Sequence, residues 1–135
     1  MSERRLTLAI MDPPYESARS TTAFRIIAAA LQKGIHVNVF AYEGAVSLAL
    51  KDQKPHANPV KGTSVEEEDH PVTRDFVSAL LELGRGNPSL NWINCGLCVD
   101  ERGAGNAVDG VKRGSPADFL KMALESTNTL VIPVL

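Results

Sequence analysis

Long hydrophobic runs are missing from this chain. The longest, Ile26–Leu31, falls far short of the roughly 20 apolar residues that a membrane-spanning helix needs. The opening Met1-Ser2-Glu3-Arg4-Arg5 leads straight into an alternating stretch with no signal-peptide core, so a cytoplasmic protein with no membrane partner is expected. Aromatics are scarce at 5%, which leaves the core to Val, Ile, Leu and Ala. Basic clusters are scarce too: 14 basic residues face 16 acidic ones, and no Lys/Arg run exceeds two. Phosphate neutralisation asks for a concentrated basic surface, so nucleic acid is not expected as a direct partner. Cysteine is limited to Cys95 and Cys98, a pair that points in a cytosolic protein to thiol chemistry rather than to a structural disulfide. What is present, 44% hydrophobic and 22% charged over 135 residues, suits one globular domain spanning 1–135.

The apolar run Leu6–Met11 ends at Asp12-Pro13-Pro14 and reads as a buried strand stopped by proline. Ser17–Lys33 carries Phe24, Ile27, Ala28 and Leu31 at helical spacing, with Ser17 or Ser20 as cap and Gly34 as the left-handed terminator. Val37–Ala41 alternates as a second strand, completing a strand–helix–strand unit of a parallel sheet. A short helix is expected over Glu43–Leu50. Residues 51–71 hold three prolines and most of the clustered acids, and read as a long surface excursion with Glu66–Asp69 solvated. A helix over Val72–Gly84, a strand over Leu90–Cys95, a glycine-rich loop over Gly103–Gly114, a helix from Pro116 with Ser115 as N-cap, and a last buried strand at Thr129–Pro133 complete the chain. The pattern predicts an α/β fold with a parallel sheet. Loops at the carboxyl ends of its strands, here Asp12–Glu16, Tyr42–Gly44 and Cys95–Gly105, then share one edge.

Cys95 closes a strand, and Gly96 permits a sharp turn into a short helix ending near Gly103. A thiol at a helix start faces unsatisfied N–H groups and the positive end of the dipole, which favour a thiolate. The competing reading is a small apolar residue buried at a strand end.

Four further features together resemble the DsrE/DsrF/TusD-like family of small cytoplasmic sulfur-relay proteins. They are Pro13-Pro14-Tyr15 after the first strand, Lys33-Gly34-Ile35-His36-Val37 at the turn into the second, Val39–Val46, and Cys95 followed by Arg102-Gly103. The resemblance spans nearly the whole chain. It implies a three-layer DsrE-like domain of about five strands, with Cys95 as the persulfide-carrying nucleophile; Arg102, placed by sign to help an anionic sulfur or else on the surface, is an auxiliary candidate, as is Cys98. It also implies sulfur donor and acceptor proteins as partners, in sulfur oxidation or tRNA thiolation, and a trimeric or hexameric homo-oligomer or one built with paralogous subunits. Cys98 departs from the family pattern, which opens a resolving or redox-disulfide role beside a packing one.

Tyr15, Gly96 and Gly103 are candidate pocket residues on the same edge. Lys112 and Arg113 either approach the thiolate and an incoming partner or are solvated, the second being favoured, and Asp100 and Glu101 are read as facing water, since carboxylates beside a thiolate would raise its pKa. No cofactor is expected: Gly103-Ala104-Gly105-Asn106 completes neither a P-loop nor a dinucleotide fingerprint. No metal is expected either, because structural zinc takes four ligands and His36, His56 and His70 are scattered. Two other readings stay open: a non-catalytic α/β binding module, and a Cys-x-x-Cys redox dithiol protein.

Overall fold

A computed structural model describes residues 3–15, 17–68 and 72–134. Glu16, which belongs to the first edge loop, and Asp69, His70 and Pro71, which close the excursion, lie outside the described residues. The elements run β1 (Arg5–Ile10), α1 (Arg19–Gln32), β2 (His36–Ala41), a 3-10 segment (Glu43–Ala49), α2 (Val65–Glu68), α3 (Thr73–Leu83), β3 (Leu90–Cys95), α4 (Gly96–Glu101), β4 (Val111–Gly114), α5 (Pro116–Leu124) and β5 (Asn128–Ile132). The five strands pair in the order β4-β3-β2-β1-β5, all parallel. The expected α/β fold with a parallel sheet is what the chain forms. Among the described residues no helix is long and apolar enough to cross a membrane.

Strand alternation sorts the core into two layers. Leu8, Ile10, Val37, Val39 and Trp92 pack against Ala23, Phe24 and Ile27 of α1 and Val77 and Leu80 of α3. On the opposite face Phe40, Ile93 and Cys95 meet Phe119 and Met122 of α5. Phe40 stacks on Phe119 at 5.6 Å between ring centroids.

Both ends of α1 follow from local chemistry. Gly34 adopts φ +79°, and the Ile35 N–H reaches back to the Ala30 carbonyl at 2.9 Å, closing the helix with a left-handed residue as expected. The start differs from expectation. The N-cap is Ala18, which offers no side-chain cap, and Asp12 at the end of β1 does the capping from a distance. Its Oδ2 accepts the Ser20 N–H at 3.2 Å and the Ser17 and Ser20 hydroxyls at 3.1 Å each. Ser115 does cap α5, with Asp118 Oδ2 accepting the Ser115 N–H at 2.8 Å.

Three further expectations need correction. Val111–Gly114 is a strand, not part of a loop. It pairs along β3 at the sheet edge, where Lys112 and Arg113 project outward; charge is what protects such an edge, and it also hides the strand from an apolar pattern. The closing strand β5 is at the other edge and mostly exposed, with Val131 56% accessible, so its apolar run is not a mark of burial. Within the excursion, Val65–Glu68 forms one helical turn. Ser64 and Glu67 cap it reciprocally, which explains how the acidic run stays solvated yet ordered.

Candidate functional site: the Cys95–Cys98 turn

Cys95 ends β3 and is the N-cap of α4, with φ −63° and ψ +118° before the chain turns helical at Gly96. Gly103 ends the same helix in the left-handed region at φ +57°, its N–H donating to the Asp100 carbonyl at 3.1 Å. The six-residue helix α4 and its flanking caps therefore carry Cys95, Gly96, Cys98, Arg102 and Gly103 together. Gly96 itself has no positive φ; it lets the flexible Arg113 side chain approach closely. A Cβ there would sit 2.6 Å from Nε of Arg113, so the guanidinium lies directly over the start of α4.

The sulfur of Cys95 was expected at or near solvent, and that is corrected: Cys95 is 2% accessible and Cys98 4%. Phe40, Val46, Ile93 and Met122 enclose them, with Tyr42, Val99 and Phe119 at the margin. The reason is topological. β3 lies inside the sheet, so its last inward-facing residue stays under the α5 layer. The helix-start N–H groups expected at the Cys95 sulfur are likewise corrected: among the described residues none reaches it, and the backbone N–H that meets a cysteine sulfur is that of Glu43, 3.2 Å from Cys98 Sγ. Glu43 holds a left-handed φ of +55°, uncommon for a residue with a side chain, and this turns its N–H toward α4.

Burial pushes the Cys98 thiol up to about 11. Its hydrogen bond with Cys95 acts the same way, as do the negative charges at Cys95 and Glu43, while the Glu43 N–H pulls in the other direction. In the folded protein Cys98 thus keeps its proton where an unfolded chain, near 9.0, has lost it. The Cys98 contribution to stability is accordingly full below pH 9 and is lost as pH rises toward 11. Iodoacetamide labelling of native protein should leave Cys98 below about a tenth of its maximal rate up to about pH 10. Half-maximal labelling of Cys98 below pH 9 would contradict this account.

The cations are arranged differently from expectation. Arg102 reaches Glu43 Oε2 at 2.7 Å and the Cys98 carbonyl at 3.4 Å, so its charge is met by a carboxylate and it ties α4 to the turn after β2. Arg113, read as solvated, is the cation beside the Cys95 turn. It grips Asp100 through both guanidinium nitrogens, at 3.0 Å for Nη1, and this holds the Asp100 carboxyl below its usual range. Asp100, and more weakly the Cys95 sulfur, raise Arg113 in turn. Lys112 and Arg113 also line a cleft of about 420 Å³ with Lys51, Asn94 and the Gly105-Asn106 loop.

Tyr15, at φ +67°, accepts the Thr73 N–H on its hydroxyl at 3.1 Å and meets the His56 ring edge-on, which ties its loop to the start of α3. The edge loops do converge: a Cβ on Gly44 would lie 2.8 Å from the Pro13 side chain, and Glu43 contacts α4. Residues missed by the sequence reading are Tyr42 and Glu43, while Arg113 was weighed as a cation near the thiolate and placed on the solvated side. Tyr42–Gly44 was placed on the correct edge, but nothing in the pattern told that β2 is the strand beside β3.

Known proteins can now be set against this geometry. A family model described as DsrE/DsrF-like matches residues 4–132. The chain belongs to the DsrE/DsrF-like family. The membership places it in a family of sulfur-relay proteins in general terms. Its sequence is 27% identical over 128 residues to an uncharacterised protein, MJ0989, of Methanocaldococcus jannaschii, covering 93% of this chain and 97% of that one. Its fold matches the crystal structure of the ychN protein from E. coli with a TM-score of 0.74, over 95% of this chain and 98% of that chain at 20% identity. The five-stranded parallel sheet with its helices thus matches this neighbour in overall fold.

Proposed function

We propose that this DsrE/DsrF-like chain is a cytoplasmic sulfur-relay protein that carries sulfane sulfur as a persulfide on Cys95. The observation that carries the reading is the placement of Cys95: a thiol at the carboxyl end of β3, in the N-cap position of α4 without a side-chain cap bond, with a protonated Cys98 beside it and Arg113 over the turn. In the step, the Cys95 thiolate attacks the outer sulfur of a donor persulfide R–S–SH. The Cys95–sulfur bond forms, the donor S–S bond breaks, and R–S⁻ departs. The electron count is unchanged, because sulfane sulfur only moves between thiols, and an acceptor thiolate repeats the exchange. Cys98 keeps its proton through this step and so does not compete as nucleophile. It serves as an auxiliary thiol toward a loaded Cys95: the Cys98 proton passes to the outer sulfur of the Cys95 persulfide anion, the Cys98 sulfur attacks the inner sulfur, the Cys95–Cys98 disulfide forms and HS⁻ leaves. Residues three apart on one turn suit that bond.

Burial of both sulfurs favours a second reading, a binding module whose cysteines are packing. For the relay to operate, the half-buried Tyr42 and the Glu43–Arg102 ion pair must yield to the donor. Treating reduced protein with polysulfide and taking intact masses separates the readings. The relay predicts one added sulfur on wild type and none on Cys95→Ser. It further predicts that Cys98→Ala loads normally but releases sulfur abnormally. No added sulfur on wild type leaves the module reading, and equal loss of loading in both variants makes Cys98 a primary acceptor.

A further inference from the structure

Three interactions close a ring around Cys98. The Glu43 N–H meets its Sγ at 3.2 Å, Arg102 Nη1 donates to its carbonyl at 3.4 Å, and Arg102 Nη2 joins the Glu43 carboxylate at 2.7 Å. The sulfur and the backbone of one residue are thus held by the same two neighbours. Within the ring Glu43 keeps its φ of +55°, a conformation that persists in a residue with a side chain only where the surroundings hold it. The next residue, Gly44, is seated on the Pro13 side chain, so the turn is anchored on the loop after β1 as well as on α4. The ion pair is partly exposed and adds little stability by itself. Its contribution is placement.

Cys98 is buried, and its thiol hydrogen-bonds with Cys95. Residues three apart on a helix have Cβ atoms about 5–6 Å apart, and a disulfide brings them to roughly 3.5–4.5 Å. Closure is therefore a short movement, and its rate follows how well the attacking sulfur is already placed.

We propose that Arg102 and Glu43 are positioning residues for the closure of Cys98 onto Cys95. The inference rests on reading Cys98 as the auxiliary thiol of a loaded Cys95. In closure the Cys98 proton passes to the outer sulfur, the Cys95–Cys98 bond forms, the bond to the outer sulfur breaks and HS⁻ leaves. The two cysteine sulfurs are oxidised to the disulfide and the sulfane sulfur is reduced to sulfide, so the electrons balance. The Glu43 N–H favours the negative charge that the Cys98 sulfur gains as it gives up its proton. The ion pair that yields to the donor re-forms before this step.

The experiment follows closure in wild type, Arg102→Ala, Glu43→Ala and Arg102→Lys, with Cys95 loaded in two ways. Polysulfide-loaded, desalted protein is followed by sulfide release and by disulfide mass. Protein carrying glutathione on Cys95 as a mixed disulfide is followed by glutathione release. Only loaded protein is counted, so access of the donor does not enter. Loss of the ring should slow closure about tenfold in both alanine variants. Arg102→Lys, which keeps a cation for Glu43, should fall between them and wild type. Removal of the load by dithiothreitol, an outside thiol that needs no Cys98, runs in parallel and should not slow. A merely loosened site speeds this outside attack and leaves closure within about twofold of wild type. That result overturns the proposal, as does equal slowing of both routes. Slow closure of the glutathione adduct without polysulfide uptake supports the positioning role and removes the relay, while normal uptake with wild-type closure does the reverse. A Cys95 that takes neither load overturns both.

Discussion

Replacing Asp12 with alanine is expected to lower stability by about 2–4 kcal/mol, measured by urea unfolding. The side chain is 2% accessible and accepts the Ser20 N–H and two serine hydroxyls at the start of α1, whose N-cap Ala18 contributes nothing. Its loss orphans the buried Ser20 N–H and takes an acceptor from the partly buried Ser17 hydroxyl, while the Ser20 hydroxyl keeps the Asp12 carbonyl at 3.1 Å; a hydrogen bond to a charged acceptor is among the stronger single contributions. Asp12→Asn keeps an acceptor oxygen without the charge and should recover about half of the loss. A decrease under about 0.5 kcal/mol for the alanine variant would mean that α1 is held by packing on Val39 and Ile10 alone.

The second large effect concerns assembly, proposed here as a homo-oligomer. Leu120 and Leu124 lie one turn apart on the outer side of α5, 59% and 77% accessible. Val131 of the edge strand β5 is also exposed, so the α5 side of the sheet carries apolar surface that one nine-residue helix leaves uncovered. Wild type should scatter light as a trimer or hexamer of the 14.5 kDa chain. Leu120→Glu/Leu124→Glu should scatter as the single chain with an unchanged far-UV circular dichroism spectrum, because neither side chain is in the core. A wild-type mass of one chain at micromolar concentration, or an oligomer indifferent to both glutamates, would contradict the assembly.

Where the chain alone was informative follows a physical rule. Leu8 and Ile10, Val37 and Val39, and Phe24, Ile27 and Leu31 sit on faces buried within one element, and periodicity reports this directly. Pro116 after Ser115 and the left-handed Gly34 are local signals for the same reason. What stayed hidden depends on neighbours far away in the chain. Lys112 and Arg113 are polar because β4 is an edge, and an edge strand of charged residues looks like a loop. Asp12 caps a helix that begins seven residues later, so no adjacent pattern reveals it. Cys95 was placed at the right strand end and helix start, yet its burial comes from Met122 and Phe119 on α5, and Arg113 reaches Gly96 only through the β3–β4 pairing. The cysteine turn itself was legible; its cover and its cation were not.

The most direct test of the central claim is to locate the sulfur. Polysulfide-treated wild-type protein, alkylated and digested, would be fragmented between Cys95 and Cys98 to assign the added atom. The account predicts alkylated persulfide on Cys95 and an unmodified sulfur count on Cys98. Added sulfur confined to Cys98, or absent from both, would contradict it.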